Sequence, residues 1–405
     1  MSTATPWARR RLEHSLTTRP LIYGGNRIEL LRSGGEFFPR LLAAITAARE
    51  SIHLETYIFE LDVVGTRVAQ ALLAAAERGV AVHLLVDGFG SAAALEPLRR
   101  QMNAGGVRFG VFRPARWWRL DRRLLRRLHR KIALIDDRLA FVGGINIIDD
   151  HHHPGVAAGI GPRYDFAVSC EGPLVALIAL VVKRMWWTIS AADRRPEDRR
   201  PRYVELAHPL PQNMRAALLL RDNVRHRSTI ERAYQEAIAS AHRDVLLANA
   251  YFLPGRKLRQ ALCAAAQRGV RVRLLLQGRI EYRLQHYAQQ ALYGELLQSG
   301  VEIHEYRPSF LHAKVAVVDD VWATVGSSNI DPYSLLLARE ANVAVIDRGF
   351  ARQLRQELER AMEAESAPIH VPALQQRPWW RRIAYRLAYA AVRWLTFMAT
   401  RRAEH

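Results

Sequence analysis

The sequence is poor in cysteine, in long apolar runs and in acid. Its two cysteines, Cys170 and Cys263, lie far apart in apolar stretches with no C-x-x-C spacing. That argues against a disulfide framework or a thiolate zinc site and leaves two core thiols in a reducing compartment. The longest apolar run, 172–182, stops at Lys183 and Arg184, well short of the roughly 20 residues that span a bilayer. The opening stretch MSTATPWARRRLEHS has neither the apolar centre nor the small-residue cleavage site of a signal peptide. Such a chain is expected to meet a membrane from one side, as a peripheral protein. Acids number 39 against 59 Lys and Arg, giving a formal charge of +20. That surplus implies a polyanionic partner, nucleic acid or an anionic membrane surface, and charge alone does not choose between them.

The chain does contain repetition. Tyr57-Ile58-Phe59 is echoed by Tyr251-Phe252-Leu253, and a helical run ending Glu77-Arg78-Gly79-Val80 by one ending Gln267-Arg268-Gly269-Val270. Each run is followed by an apolar, strand-like segment closing on glycine, 83–88 and 273–278. A helix, a glycine stop and a short apolar strand make an α/β crossover, and the pattern predicts largely parallel, mixed sheets in two similar halves. Each half then reaches one constellation, LHRKIALIDDRLAFVGGIN and LHAKVAVVDDVWATVGSSN. The residues His129, Lys131, Asp136, Gly143 and Asn146 match His312, Lys314, Asp319, Gly326 and Asn329 in relative position. Two matches at one spacing leave chance a poor explanation. The Pro- and charge-rich stretch 194–212 reads as the connection. The predicted organisation is a basic N-terminal segment (1–21), a first half (22–202), a second half (203–370) and a basic amphipathic tail (371–405). One His-Lys pair per half places the site where the halves face each other.

In an extended strand, His and Lys two apart project to the same side. A nucleophilic imidazole beside a fixed cation suits a reacting atom ringed by anionic oxygens, such as the phosphorus of a phosphodiester. Lys131 and Lys314 would hold the non-bridging oxygens, with amide donors from Asn146 and Asn329. One imidazole attacks while the other protonates the departing alkoxide. A carboxylate at the second ring nitrogen would fix each tautomer, and Asp165 and Glu340 lie at comparable distances downstream. Asp136 and Asp319, each followed by a second Asp, support the signature by shaping a turn.

This duplicated H-x-K-x4-D pattern with its trailing G-G/S-x-N resembles the phospholipase D superfamily. Within it, the flanking text IHLETYIFELDVVG, LRDNVRHRSTIERAY, NAYFLPG and WATVGSSNIDPYSLLLAREANV is similar to the bacterial cardiolipin synthases, over roughly residues 22–365. The resemblance implies two facing α/β halves, no metal or other cofactor, His129 as nucleophile or, with the order reversed, His312, and Asp165 and Glu340 as the orienting acids. It also implies phosphatidylglycerol as substrate, giving cardiolipin and glycerol through a phosphohistidine. Gly144 departs from its counterpart Ser327, so that one half holds phosphate with one hydroxyl fewer. The loop 149–162, with His151, His152 and His153, has no match in the family and reads as solvated turn residues rather than a metal site.

Trp stands among Arg in 115–131 and again in the tail, where Arg382, Arg386 and Arg393 share one helical face and Ile383, Leu387, Ala391, Trp394 and Met398 another. That composition suits an interfacial helix at an anionic membrane, on the cytoplasmic face of the cell membrane. A nuclease, a lipid hydrolase and a catalytically dead adaptor are the competing readings. The lipid-like amphipathic segments argue against nucleic acid as the partner, and the intact duplicate motifs argue against the adaptor.

Overall fold

The computed structural model describes residues 20–114, 126–153, 159–190, 209–222, 226–332 and 338–401. The boundary expected near residue 203, most of the 1–21 and 194–212 segments and residues 115–125 lie outside them.

The first half runs β1 (Tyr23–Arg32), α1 (Ser33–Ala47), β2 (Ser51–Thr56), α2 (Val63–Glu77), β3 (Ala81–Asp87), α3 (Leu95–Ala104) and β4 (Arg108–Phe112). It continues with β5 (Arg127–Leu128), β6 (Lys131–Ile135), β7 (Leu139–Gly143), β8 (Phe166–Glu171) and α4 (Pro173–Ile189). The second half repeats the plan with β9 (Met214–Arg221), α5 (Thr229–Ala239), β10 (Asp244–Asn249), α6 (Arg256–Gln267), β11 (Arg271–Gln277), α7 (Arg283–Gln290), α8 (Tyr293–Gln298) and β12 (Glu302–Tyr306). It closes with β13 (Lys314–Val318), β14 (Trp322–Gly326), β15 (Ala338–Ile346), α9 (Arg348–Glu365), β16 (Ser366–Ile369), α10 (Val371–Gln375) and α11 (Trp379–Arg401).

The α/β class and mixed pairing agree with the sequence pattern, although antiparallel ladders dominate. Among the described residues, parallel strand ladders are confined to β2–β3–β4, β10–β11–β12 and the short β5–β15 contact, beside three isolated parallel bridges. The crossovers supply those ladders, whereas each motif sits on a hairpin, which pairs its strands antiparallel. The two half-sheets are joined at an edge through β1 and β9. Their inner faces, β7–β8 and β14–β15, also pack on each other.

The longest apolar run is the body of α4. From Pro173 to Val182 every residue is buried, and Leu174, Val175, Leu177, Ile178, Val181 and Val182 join a core drawn from both halves. Each such side chain contributes about 1.5–3 kcal/mol on full burial, so the run serves the centre of the fold. No described helix is long and apolar enough to cross a membrane.

The tail helix α11 has two different faces. Ala388 and Val392 are buried in the second half's outer core, and α11 lies along α7. Trp379, Trp380, Ile383, Leu387 and Trp394 are exposed. Packing on the body and an outward apolar face therefore coexist in one helix.

Candidate active site

The motif hairpins turn at Asp136-Asp137 and Asp319-Asp320, all four residues having φ of 50–54°. Two successive left-handed residues make the turn whose twist matches a β-hairpin, and Asp tolerates that region better than most residues. The Asp136 carboxylate accepts from the N–H groups of Arg49, Glu50 and Ser51 at 2.8–2.9 Å. Asp319 does the same for His242, Arg243 and Asp244 at 2.7–2.9 Å. Each motif aspartate thus ties its hairpin to the neighbouring crossover strand, a full strand length from the histidine. That placement removes both from the catalytic set in which the signature groups them, because no reacting atom held by the histidines comes within their reach.

At the other end of each hairpin the halves exchange partners. The Nδ1 of His129 lies 3.0 and 3.1 Å from the two oxygens of Glu340, and the Nδ1 of His312 lies 2.6 Å from Asp165 Oδ2. Each imidazole is therefore backed by the acid of the opposite half. The backbone explains why. The N–H groups of His129 and Arg130 donate to the Arg339 carbonyl at 3.0 and 2.9 Å, beside the β5–β15 pairing. In the mirrored position, His312 N–H donates to the Tyr164 carbonyl at 2.8 Å. Each histidine is thereby registered against the residue that precedes the other half's acid.

Both histidine side chains keep a window on solvent, 15% and 16% exposed, while Asp165 and Glu340 are closed off. Burial lowers His129, with Glu340 opposing the shift. His312 is pushed well below the ordinary histidine range by burial and by the Lys314 ammonium. Lys131 and Lys314 are buried, and burial brings them down to about 7 and about 8. Burial lifts the Asp165 carboxyl to about 6, against the pull of Lys314 and of the Phe166 N–H. Burial also acts to raise Glu340, but the His129 ring, Lys131 and the Ser327 hydroxyl outweigh it and leave that carboxyl below its usual range.

Ser327 does not turn to the cleft as a phosphate donor. It is fully buried, and its hydroxyl donates to Glu340 Oε2 at 2.5 Å, so the nearest acceptor takes the proton that phosphate was expected to share. Asn146 accepts the Ile58 N–H on its Oδ1 at 3.1 Å, which orients its amide. Asn329 is buried, with no hydrogen-bond partner for Oδ1 among the described residues. His153 packs its ring 4.9 Å from that of Phe310 and reaches the Gly161 carbonyl at 3.2 Å. No cluster of three or more His, Cys, Asp or Glu suited to a metal occurs among the described residues.

Sequence reasoning missed Tyr57 as a site residue. Its ring lies 4.8 Å from that of His129, with the Lys131 ammonium 5.4 Å from the ring centre. Burial pushes its phenol up to about 12, so it lines the site as a neutral wall. The echo between Tyr57 and Tyr251 was the available signal.

Two histidines, two buried lysines and two exchanged carboxylates on a doubled α/β fold define a phospholipase D-type enzyme. The family described as "Cardiolipin synthase, PLD-like domain" matches residues 41–152 and 234–362. Cardiolipin synthase B of Escherichia coli K12 and that of Shigella flexneri are each 39% identical over 381 residues, covering 91% of this chain and 88% of theirs. Cardiolipin synthase 2 of Bacillus anthracis is 33% identical, covering 88% of this chain and 69% of its own. Phosphatidylserine synthase of Haemophilus influenzae has the same fold, with a TM-score of 0.72 at 15% identity over 96% of this chain and 99% of its own. The chain belongs to the cardiolipin synthase family of phospholipase D-like enzymes.

Proposed function

We propose that the protein makes cardiolipin from two phosphatidylglycerol molecules by phosphatidyl transfer through a histidine. The observation that carries this reading is the exchanged carboxylate–imidazole pair. Each carboxylate accepts the Nδ1 hydrogen and so presents Nε2 to a substrate. His129 Nε2 attacks phosphorus and the bond from phosphorus to the headgroup glycerol oxygen breaks, while His312, which enters this step as the imidazolium favoured by the anionic phosphate in the cleft, gives its Nε2 proton to the departing oxygen. His312 then takes the proton from the terminal hydroxyl of a second phosphatidylglycerol. That oxygen attacks phosphorus, the P–N bond breaks, and cardiolipin leaves with His129 restored. Lys131 and Lys314 hold the non-bridging oxygens, where buried cations act most strongly on developing charge, and the amide groups of Asn146 and Asn329 add donors.

The assignment of His129 as nucleophile is supported by its clamped partner. Glu340 is kept ionised by the His129 ring, Lys131 and Ser327 and stabilises the positive charge that forms on the attacking ring. The outward apolar face of α11 and its arginines support peripheral contact with an anionic bilayer.

Vesicles of phosphatidylglycerol separate the outcomes: cardiolipin and glycerol in equal amounts support transfer, whereas phosphatidic acid with glycerol indicates hydrolysis. Acid-labile, alkali-stable label on the protein after brief exposure to phosphate-labelled lipid, lost in His129→Ala and kept in His312→Ala, identifies the nucleophile. Label lost in His312→Ala and kept in His129→Ala reverses the assignment.

A further inference from the structure

Both loops that follow the crossover strands carry exposed apolar residues at the mouth of the site. After β3 comes Phe89 and after β11 come Ile280, Tyr282, Leu284 and Tyr287, with exposures between 37% and 59%. The first loop touches the site through Gly90, where a Cβ would fall 2.4 Å from the Tyr57 carbonyl and 2.9 Å from its ring. The second faces it through Glu281, whose charge acts on Lys314 and whose carboxylate takes the hydroxyl of Tyr251, the ring of which lies 5.9 Å from that of Tyr282.

This second loop is continuous with the tail. The ring of Tyr287 on α7 lies 5.3 Å from Tyr385 on α11, and Val392 of α11 lines one cavity with Tyr251, Tyr282 and His286. The exposed faces of loop and helix therefore adjoin. Their charge has one sign. Residues 379–401 contain no acid, and between 279 and 287 the one acid is Glu281, which is engaged by Tyr251, against Arg279 and Arg283. An apolar surface of this extent is rare on a monomer that meets only water, and aromatic side chains mixed with arginine match the headgroup layer of a bilayer.

We propose that the 280–287 segment, Phe89 and the outer face of α11 form one rim that inserts into an anionic phospholipid bilayer, so that the mouth of the active site opens onto the headgroup layer and lipid enters without leaving it. The proposal rests on the lipid substrate inferred above and goes beyond the tail by making the site's own loops membrane-bound. The rim acts on lipid in a bilayer and not on the chemistry.

The test is the full chain carrying Ile280→Ser with Leu284→Ser, assayed on phosphatidylglycerol vesicles and on dispersed short-chain phosphatidylglycerol below its micelle concentration. Turnover on vesicles should fall about tenfold, from the lost insertion of two apolar side chains, and turnover on dispersed lipid should stay within about twofold. In flotation with phosphatidylglycerol vesicles, the variant should partition less than the unaltered chain. Equal flotation and vesicle turnover overturn the proposal, as does an equal fall on both substrates, which would place the two side chains in substrate binding. If the unaltered chain converts neither substrate, the proposed function fails, and flotation alone then decides the rim.

Discussion

The two acid–histidine couples differ by one methylene in the acid and one hydroxymethyl group beside it. In the couple behind His129, Glu340 is the longer acid and Ser327 fills the space beside its carboxylate. In the couple behind His312, Asp165 is shorter and occupies that space itself, since a Cβ on Gly144 would fall 2.4 Å from Asp165 Oδ1. Ser with Glu and Gly with Asp are thus two fillings of one volume. The difference teaches how a duplicated fold becomes chemically unequal: one carboxyl is held below its usual range and the other is raised to about 6. Paired groups whose environments push them apart take separate acid and base roles.

The severest break is removal of either ring. His129→Ala and His312→Ala should each lower cardiolipin formation by about 10³-fold or more, because nucleophile and proton donor are each indispensable. The assay is cardiolipin produced from phosphatidylglycerol, and unaltered circular dichroism shows that the variants are folded. If either variant keeps most of its activity, the two-histidine mechanism is wrong.

The comparison itself is tested by exchanging its parts. Gly144→Ser should push the Asp165 carboxylate off His312 and cost about 10²-fold in kcat, the scale of a misplacement near 1 Å. Ser327→Gly removes one hydrogen bond to Glu340 and should cost about tenfold. Joining Gly144→Ser to Asp165→Glu should restore part of the loss, since it rebuilds the second half's filling in the first. If the double variant is no better than Gly144→Ser, the two couples are not interchangeable fillings.

Acidity should sharpen the same asymmetry. Burial holds Lys131 at about 7 and Lys314 at about 8, so kcat/KM should fall about tenfold per unit between pH 7 and 8 and about a hundredfold per unit above 8 as both cations are lost. An acid limb near pH 6 belongs to Asp165. The stability effect of the lysines has the opposite sign. Between 7 and 10.5 the unfolded chain binds more protons than the folded one, so their contribution to stability rises with pH. Measured from pH 7 to 9, activity should therefore drop without a matching drop in Tm. Parallel loss of both would assign the alkaline limb to unfolding.

The mildest break is the pair of hairpin anchors. Asp136→Ala and Asp319→Ala each remove the acceptor of three backbone N–H groups and should cost roughly 2–3 kcal/mol of stability, nearly equal in the two halves. Urea unfolding measures this, and the folded fraction should keep its turnover. A collapse of turnover at full stability would return the aspartates to the catalytic set.

Much of this was readable in the chain. The crossovers, the hairpin turns at the doubled aspartates and the histidine–lysine pairs follow from spacing, because each is local. The exchange of Asp165 and Glu340 is not local: distance along the chain pairs each acid with the motif of its own half, and the β5–β15 contact that reverses this is set by two residues per strand. The direction of the Ser327 hydroxyl was equally hidden, since a serine after a glycine shared by the two motifs reads alike whether it faces phosphate or a carboxylate. The apolar 172–182 run was rightly excluded as a span, and its place between the halves emerged only from packing.

The backbone bonds from His129 and Arg130 to Arg339, and from His312 to Tyr164, work as a clasp with one hook on each side. Swinging the halves apart would undo both hooks and strand both imidazoles at once. Opening along that seam is therefore a disassembly of the catalyst rather than a step of turnover, and neither half cut free would retain an aligned ring. Traffic must then use the mouth of the cleft: in the proposed reaction, glycerol leaves and the second lipid arrives past a ring already charged with a phosphatidyl group, while the two hooks stay fastened.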